Sequence, residues 1–136
     1  MEHSEALRVV SYGVIGAAIE VHRHLGAGLV ESVYEVCLAQ ELALRGFAYE
    51  RQRILPVQYK GQSLDAHYRL DLVVEGIVVV ELKAVAELLP VHEAQVLTYL
   101  RLSGLDLGLL FNFNTSLLRS GTRRLLRPGA IVEGTK

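Results

Sequence analysis

Three side chains near the middle of the chain, Asp71, Glu81 and Lys83, have the types and spacing to do chemistry together. The run from Ile77 to Leu82 is almost unbroken in its apolar character, as in strands buried on both faces of a sheet, yet Glu81 and Lys83 interrupt its end. Residues two apart on a strand point to the same face. Charges in such a strand are paired, bind a metal or take part in a reaction, because burying them otherwise is too costly. The preceding strand, Leu64 to Val74, places Leu70, Leu72 and Val74 on one side and Arg69, Asp71 and Val73 on the other. Glu75-Gly76 turns the chain between the two strands. A three- or five-residue loop centred on Gly76 sets Asp71 directly opposite Glu81, whereas a two-residue loop at Glu75-Gly76 puts them on opposite faces. The longer loop is preferred because it explains why two costly carboxylates occur together.

Carboxylates about 5 Å apart across a sheet repel and raise each other's pKa. A divalent cation removes that penalty. Hard oxygen ligands suit Mg²⁺ or Mn²⁺, which also accept phosphate oxygens as ligands. Such an ion acidifies a bound water and neutralises charge growing on a phosphoryl group. Lys83 beside it is placed to orient the water or stabilise the transition state. The same three residues also fit a second reading, a buried Asp–Lys–Glu ion network with no catalytic role.

The elements that must position these residues follow from periodicity. From Glu5 to about His24, Leu7, Val10, Val14, Ala18, Val21 and Leu25 form one apolar helical stripe, ended by Gly26 and Gly28. A second helix is expected from about Leu29 to Arg45, with Val30, Val33, Tyr34, Cys37, Leu38 and Leu42 facing inward and Gly46 as its stop. Phe47 to Glu50 and Ile54 to Tyr59 are strand-like, and Lys60-Gly61 is a turn. Pro90 suits the first turn of a third helix reaching Leu102. Leu107 to Phe113 is a fourth apolar strand, and Thr122 to Leu126 fits one more edge strand. The expected fold is therefore a single α/β domain over residues 1–136, built around a mixed sheet.

Composition narrows the function classes. The 136 residues are half apolar with 21% charged, as in a globular protein rather than a disordered one. No apolar run reaches the roughly 18 to 20 residues that span a bilayer. The N-terminal MEHSEALRVV lacks the basic start of a secretory signal. Cys37 is the sole cysteine, which excludes an intrachain disulfide and a zinc–cysteine site. A cytoplasmic protein without membrane attachment is expected. The net charge of −1 argues against strong nonspecific nucleic-acid binding. Charge is uneven, however, and Arg119, Arg123, Arg124, Arg127 and Lys136 gather near the C-terminus, where they offer either a phosphate-facing surface or a solvated tail.

Asp71, nine intervening residues, and then Glu81-x-Lys83, set among these elements, resembles the PD-(D/E)XK nuclease superfamily. The proline that usually precedes the aspartate is replaced by Leu70, a position with no chemical role. Gly28-Leu-Val-Glu31-Ser-Val-Tyr34 matches the motif of the small bacterial GxxExxY proteins. That likeness runs from IGAAIEVHRHLGAGLVESVYE through YRLDLVVEGIVVVELKAV to HEAQVLTYLRLSG and GLLFNFN. The resemblance implies a restriction-endonuclease-like core of α-β-β-β-α-β order with an extra N-terminal helix. It also implies Mg²⁺ or Mn²⁺ held by Asp71 and Glu81, Lys83 assisting the water, and nucleic acid as partner, with DNA favoured over RNA. Glu31 would add a third carboxylate, directly or through water, as could Glu35 one turn on; the plainer reading of Glu31 is an acid favoured by the helix dipole. Tyr34 lies on the apolar stripe, either as core or with its hydroxyl reaching substrate. Gln95 and Tyr99, four apart on the third helix, are similar to the Gln-x-x-x-Tyr pair of exonuclease-like members, where the glutamine lies near the scissile phosphate. The plainer reading is a tyrosine packed on the sheet with glutamine at its rim.

His22 and His24 do not share a helix face, and His92 and Glu93, at the start of the third helix, either approach the site or are solvated, with solvation preferred. A homodimer is expected from the high apolar fraction. The alternative to a nuclease is a binding or regulatory module that acts through a partner protein.

Overall fold

Leu7, Val10, Val14, Ala17, Ala18 and Val21 are buried along one side of helix α1 (His3–Leu25), as their spacing predicts. In the computed structural model, which describes residues 2–130, this stripe packs with helix α2 (Glu31–Leu44) on one face of a five-stranded sheet. Strands β1 (Tyr49–Tyr59), β2 (Gln62–Val74) and β3 (Val78–Lys83) follow as hairpins, then helix α3 (Pro90–Ser103), strand β4 (Leu107–Asn112), a 3-10 turn (Leu118–Gly121) and strand β5 (Thr122–Leu126). The sheet runs β1-β2-β3-β4-β5, with β3 and β4 parallel and all other pairs antiparallel. Helix α3 makes the crossover that a parallel pair requires. It starts with Pro90, whose missing N–H is harmless there, and ends where Gly104, at φ 75, donates to Leu100 O.

Two cores result. Leu72, Val74, Val78, Val80, Leu82, Leu107, Leu109 and Phe111 join α1 and α2, whereas Val73, Val79 and Leu110 join Val96, Tyr99 and Leu100 of α3. Strand β3 is thus covered on both faces, as its apolar run requires, and Glu81 and Lys83 share the parity of Val79 and face the α3 side.

Between Leu70 and Leu72 the sheet exchanges its faces. Leu70 joins the α3 core and Leu72 the α1–α2 core, although simple alternation, and the sequence reading, put them on one side. The cause lies opposite, on β1. Gln52, between the paired residues Arg51–Leu72 and Arg53–Leu70, has φ 54. A non-glycine residue there is strained and needs support. Buried Glu35 of α2 provides it, accepting from Gln52 Nε2 at 2.7 Å and from Arg51 Nε at 3.0 Å, so two successive β1 side chains turn to α2. Glu35 therefore serves the sheet and not a metal. Glu35→Ala is expected to lower the unfolding free energy by about 2 kcal/mol in urea titrations. Removing one partner of a buried ion pair costs about 3–5 kcal/mol, reduced here because Arg51 is 43% exposed and can rehydrate.

Helix α2 begins at Glu31, two residues later than expected, and Val30 and Val33 are exposed rather than inward. The two expected strand segments 47–50 and 54–59 form one strand across Gln52. At the C-terminal end, Asp106 clasps Arg127 at 2.6 Å and His3 at 2.8 Å. The hydrogen bond from His3, joined by that from Arg127, holds the Asp106 carboxyl below its usual range. Arg123 lies 3.9 Å from Glu93, so two of the clustered arginines already have acid partners; Lys136 lies outside the described residues. Among the described residues no helix is long and apolar enough to cross a membrane.

Candidate active site

The hairpin between β2 and β3 turns through Glu75, Gly76 and Ile77, with Glu75 and Gly76 in the left-handed region. Leu72 pairs with Val80, Val73 with Val79 and Val74 with Val78. This is the register that brings Asp71 beside Glu81. The backbone ladder stops there and the two carboxylates take over its hydrogen bonds. Asp71 Oδ2 accepts from Leu82 N at 2.8 Å, and Glu81 Oε1 accepts from Asp71 N at 3.3 Å.

Glu81 is 4% exposed. Its burial, and then the charge of Asp71 and a hydrogen bond shared with it, push its carboxyl far above the usual range. Lys83, on the same strand face, acts in the opposite direction without prevailing. Without a metal cation beside it, Glu81 keeps its proton well beyond the ordinary carboxylate range. Two hard carboxylates forced together on one face make a donor set that fits Mg²⁺ or Mn²⁺.

Lys83 opens into a cleft of about 460 Å³ whose lining includes Tyr68, His92, Gln95, Thr98 and Tyr99. Asp71 and Glu81 do not line this cleft themselves but lie close enough for their charges to act on Tyr99, which does. Burial, then the charges of Glu81 and Asp71, raise the Tyr99 hydroxyl above its ordinary pKa, while a hydrogen bond with Gln95 opposes the shift. Asp71, Glu81, Lys83, Gln95 and Tyr99 thus gather at one place. Among the described residues no three His, Cys, Asp or Glu side chains converge as a metal cluster, so the acidic centre is a pair.

Glu31 does not join that pair. It is exposed at the start of α2, and its Oε1 accepts from Ala84 N, one residue past Lys83, at 3.3 Å. Tyr34 is fully buried, its ring stacked on Phe113 at 4.4 Å. Its hydroxyl donates to Gly26 O at 2.6 Å and accepts from Leu29 N at 3.2 Å, which closes the loop between α1 and α2. Tyr34→Phe is expected to cost about 1–2 kcal/mol of stability in a denaturant titration, since it leaves those backbone groups without this partner.

Sequence reasoning missed Tyr68 and Asn112 here and gave His92 near the site only as the less favoured reading. Tyr68 reaches the cleft because of the face exchange at Gln52, and its ring lies 5.3 Å from that of Tyr99. His92 lines the cleft while its Nδ1 accepts from Leu89 N at 2.9 Å, capping α3. Buried Asn112 bonds both Val85 N and Val85 O at 3.0 Å, and Phe113 N donates to Lys83 O at 2.9 Å. Together they fix the segment after Lys83. An amide side chain at the end of an otherwise apolar strand was the available signal. His22 bonds Thr115 O and His24 faces Glu20, so neither is drawn toward the carboxylates.

A family model of the PD-(D/E)XK nuclease superfamily matches residues 8–125. The chain belongs to this superfamily. The matched span begins within α1 and ends within β5, and both the carboxylate pair and Lys83 fall inside it. No curated protein and no solved structure matches the chain. As a member of the PD-(D/E)XK nuclease superfamily it carries the mixed sheet flanked by helices, with an additional N-terminal helix.

Proposed function

We infer that this PD-(D/E)XK domain is a metal-dependent nuclease of the GxxExxY branch, hydrolysing phosphodiester bonds of nucleic acid, with DNA favoured over RNA. The observation that carries the reading is the close pairing of Asp71 with buried Glu81 on the face that also presents Lys83. Asp71 and Glu81 would hold Mg²⁺ or Mn²⁺. The bound ion would acidify a water and neutralise charge on the phosphoryl oxygens. Lys83 orients the attacking water and stabilises the developing charge from the cleft wall. Gln95 and Tyr99 orient the scissile phosphate. Glu31 steadies the backbone just past Lys83, within reach of the site through water, and Tyr34 supports it by closing the loop before α2. A cytoplasmic location and a homodimer complete the reading.

Incubating the protein with labelled single- and double-stranded DNA and RNA, with Mg²⁺, Mn²⁺ or EDTA, tests it. Metal-dependent cleavage that disappears in Lys83→Ala is the expected result. Metal binding with every substrate left intact would transfer the site to a regulatory module acting through a partner protein.

A further inference from the structure

Beyond Gln52 the first hairpin leaves the body of the protein. Strand β2 pairs with β3 only over Leu72–Val74, whereas β1 and β2 pair with each other from Arg53–Leu70 out to Tyr59–Gln62. Apart from Leu55 and Val57, every residue from Arg53 to Arg69 is exposed. The outcome is a two-stranded ribbon about 20 Å long, an element of marginal stability unless something covers it.

Its chemistry differs from that of the rest of the chain. Between Gln52 and Leu70 the ribbon carries Arg53, Lys60 and Arg69 against a single acid, Asp65, in a protein of net charge −1. None of these three cations has an acid partner among the described residues. Tyr59 and Tyr68 are 61% and 40% exposed on the same ribbon. The face exchange sets Arg53, Leu55 and Tyr68 on the α3 side, where Tyr68 meets Tyr99 and shares the cleft with Lys83. The ribbon is therefore one wall of the cleft, continued outward as a basic, aromatic arm.

We propose that this ribbon is the arm that holds the nucleic-acid strand, its three free cations on phosphates and its tyrosines against bases or sugars. The inference rests on the nuclease reading for its ligand. Unpaired cations interleaved with exposed aromatic rings are what a strand of any sequence needs, since phosphates attract the charges and every base has a face to stack. Gripping by a ribbon also reconciles a near-neutral chain with a polyanionic substrate, because three cations and one acid stand on this single element, Arg53 on the cleft side, Arg69 on the opposite face and Lys60 at its tip.

The test is a fluorescence-anisotropy titration of labelled single-stranded and duplex oligonucleotides with Ca²⁺ in place of Mg²⁺, from about 50 to about 200 mM salt. Wild type is compared with Arg53→Ala/Lys60→Ala/Arg69→Ala and with Arg53→Lys/Arg69→Lys. The triple variant is expected to bind at least tenfold more weakly, with a salt slope shallower by about 2 to 3, as three lost phosphate contacts require. The lysine variant, which keeps the charge, is expected to retain most of the affinity. Melting temperature and Mn²⁺ affinity confirm that the triple variant is folded. Unchanged affinity and slope in that variant overturn the inference. So does a change in its mass by light scattering with oligonucleotide binding intact, which makes the ribbon a contact between copies of the chain. Wild type that binds strands through the ribbon but hydrolyses no phosphodiester with Mn²⁺ sinks the nuclease reading and leaves the ribbon standing. Cleavage that persists beside an unaltered affinity of the triple variant does the reverse.

Discussion

Asp71→Asn is expected to eliminate metal-supported cleavage while making the metal-free protein more stable at alkaline pH. The charge of Asp71 is, after burial itself, the largest cause of the raised pKa of Glu81. At alkaline pH, where Glu81 ionises beside it, removing that charge relieves a repulsion. The amide oxygen of Asp71→Asn can still accept from Leu82 N, so the β2–β3 junction keeps its hydrogen bond. What disappears is one of two hard anionic ligands. A divalent ion supplies several kcal/mol of transition-state stabilisation, and about 4 kcal/mol is on the order of a thousandfold in rate. Cleavage of labelled DNA in Mn²⁺ and melting in EDTA are the two measurements. A loss of activity together with a gain in melting temperature is a signature that fold damage cannot imitate. A variant that is both less active and less stable would instead speak for a structural ion network, and full activity would remove Asp71 from the mechanism.

The second large effect is a pH dependence that a metal ion reverses. In the folded chain the Glu81 carboxyl, buried and facing Asp71, holds its proton more tightly than in the unfolded chain. Its contribution to stability is therefore complete below the ordinary carboxylate range, about pH 4.3, and is lost as pH climbs through the raised native value. The melting temperature of EDTA-treated protein is expected to fall steadily from about pH 5 to about pH 9, the raised value of Glu81. At the alkaline end a divalent ion replaces the missing proton. Mn²⁺ at about 100 times its Kd adds about 2.7 kcal/mol, on the order of 10 °C for a chain of this size. Near pH 5 the same Mn²⁺ must displace a proton, so its effect is expected to be small. Glu81→Gln should flatten the pH slope and abolish the Mn²⁺ effect together. A slope that survives in Glu81→Gln would place the titrating group elsewhere.

Much of this was legible in the residues. The stripe of α1, the doubly buried run of β3, Pro90 opening α3 and the edge strand at Thr122 each appear where their spacing puts them. These are signals that one element carries in its own periodicity. The loop centred on Gly76, expected with three or five residues, has three, and it gives the register in which two expensive carboxylates share a purpose. Readings that required knowing what lies across a gap fared less well. Val30 precedes the first turn of α2, and Val33 lies beside the buried face of Tyr34, Leu38 and Leu42 rather than on it. Tyr34 is bound to the loop before its own helix, a contact invisible to helical spacing.

The sequence by itself determined which strand is buried on both faces, which residues on it are charged, and therefore where chemistry has to be sought. Alternation and burial are local properties, written into the order of side chains. Only the tertiary structure decided that Glu31 stops at Ala84, that Glu35 supports a left-handed glutamine, and that the outer hairpin turns Arg53 and Tyr68 toward the cleft. The last two of those outcomes depend on a strained backbone angle held by a carboxylate from another element. Strain of that kind is decided by packing across the fold and leaves no periodic trace along the chain.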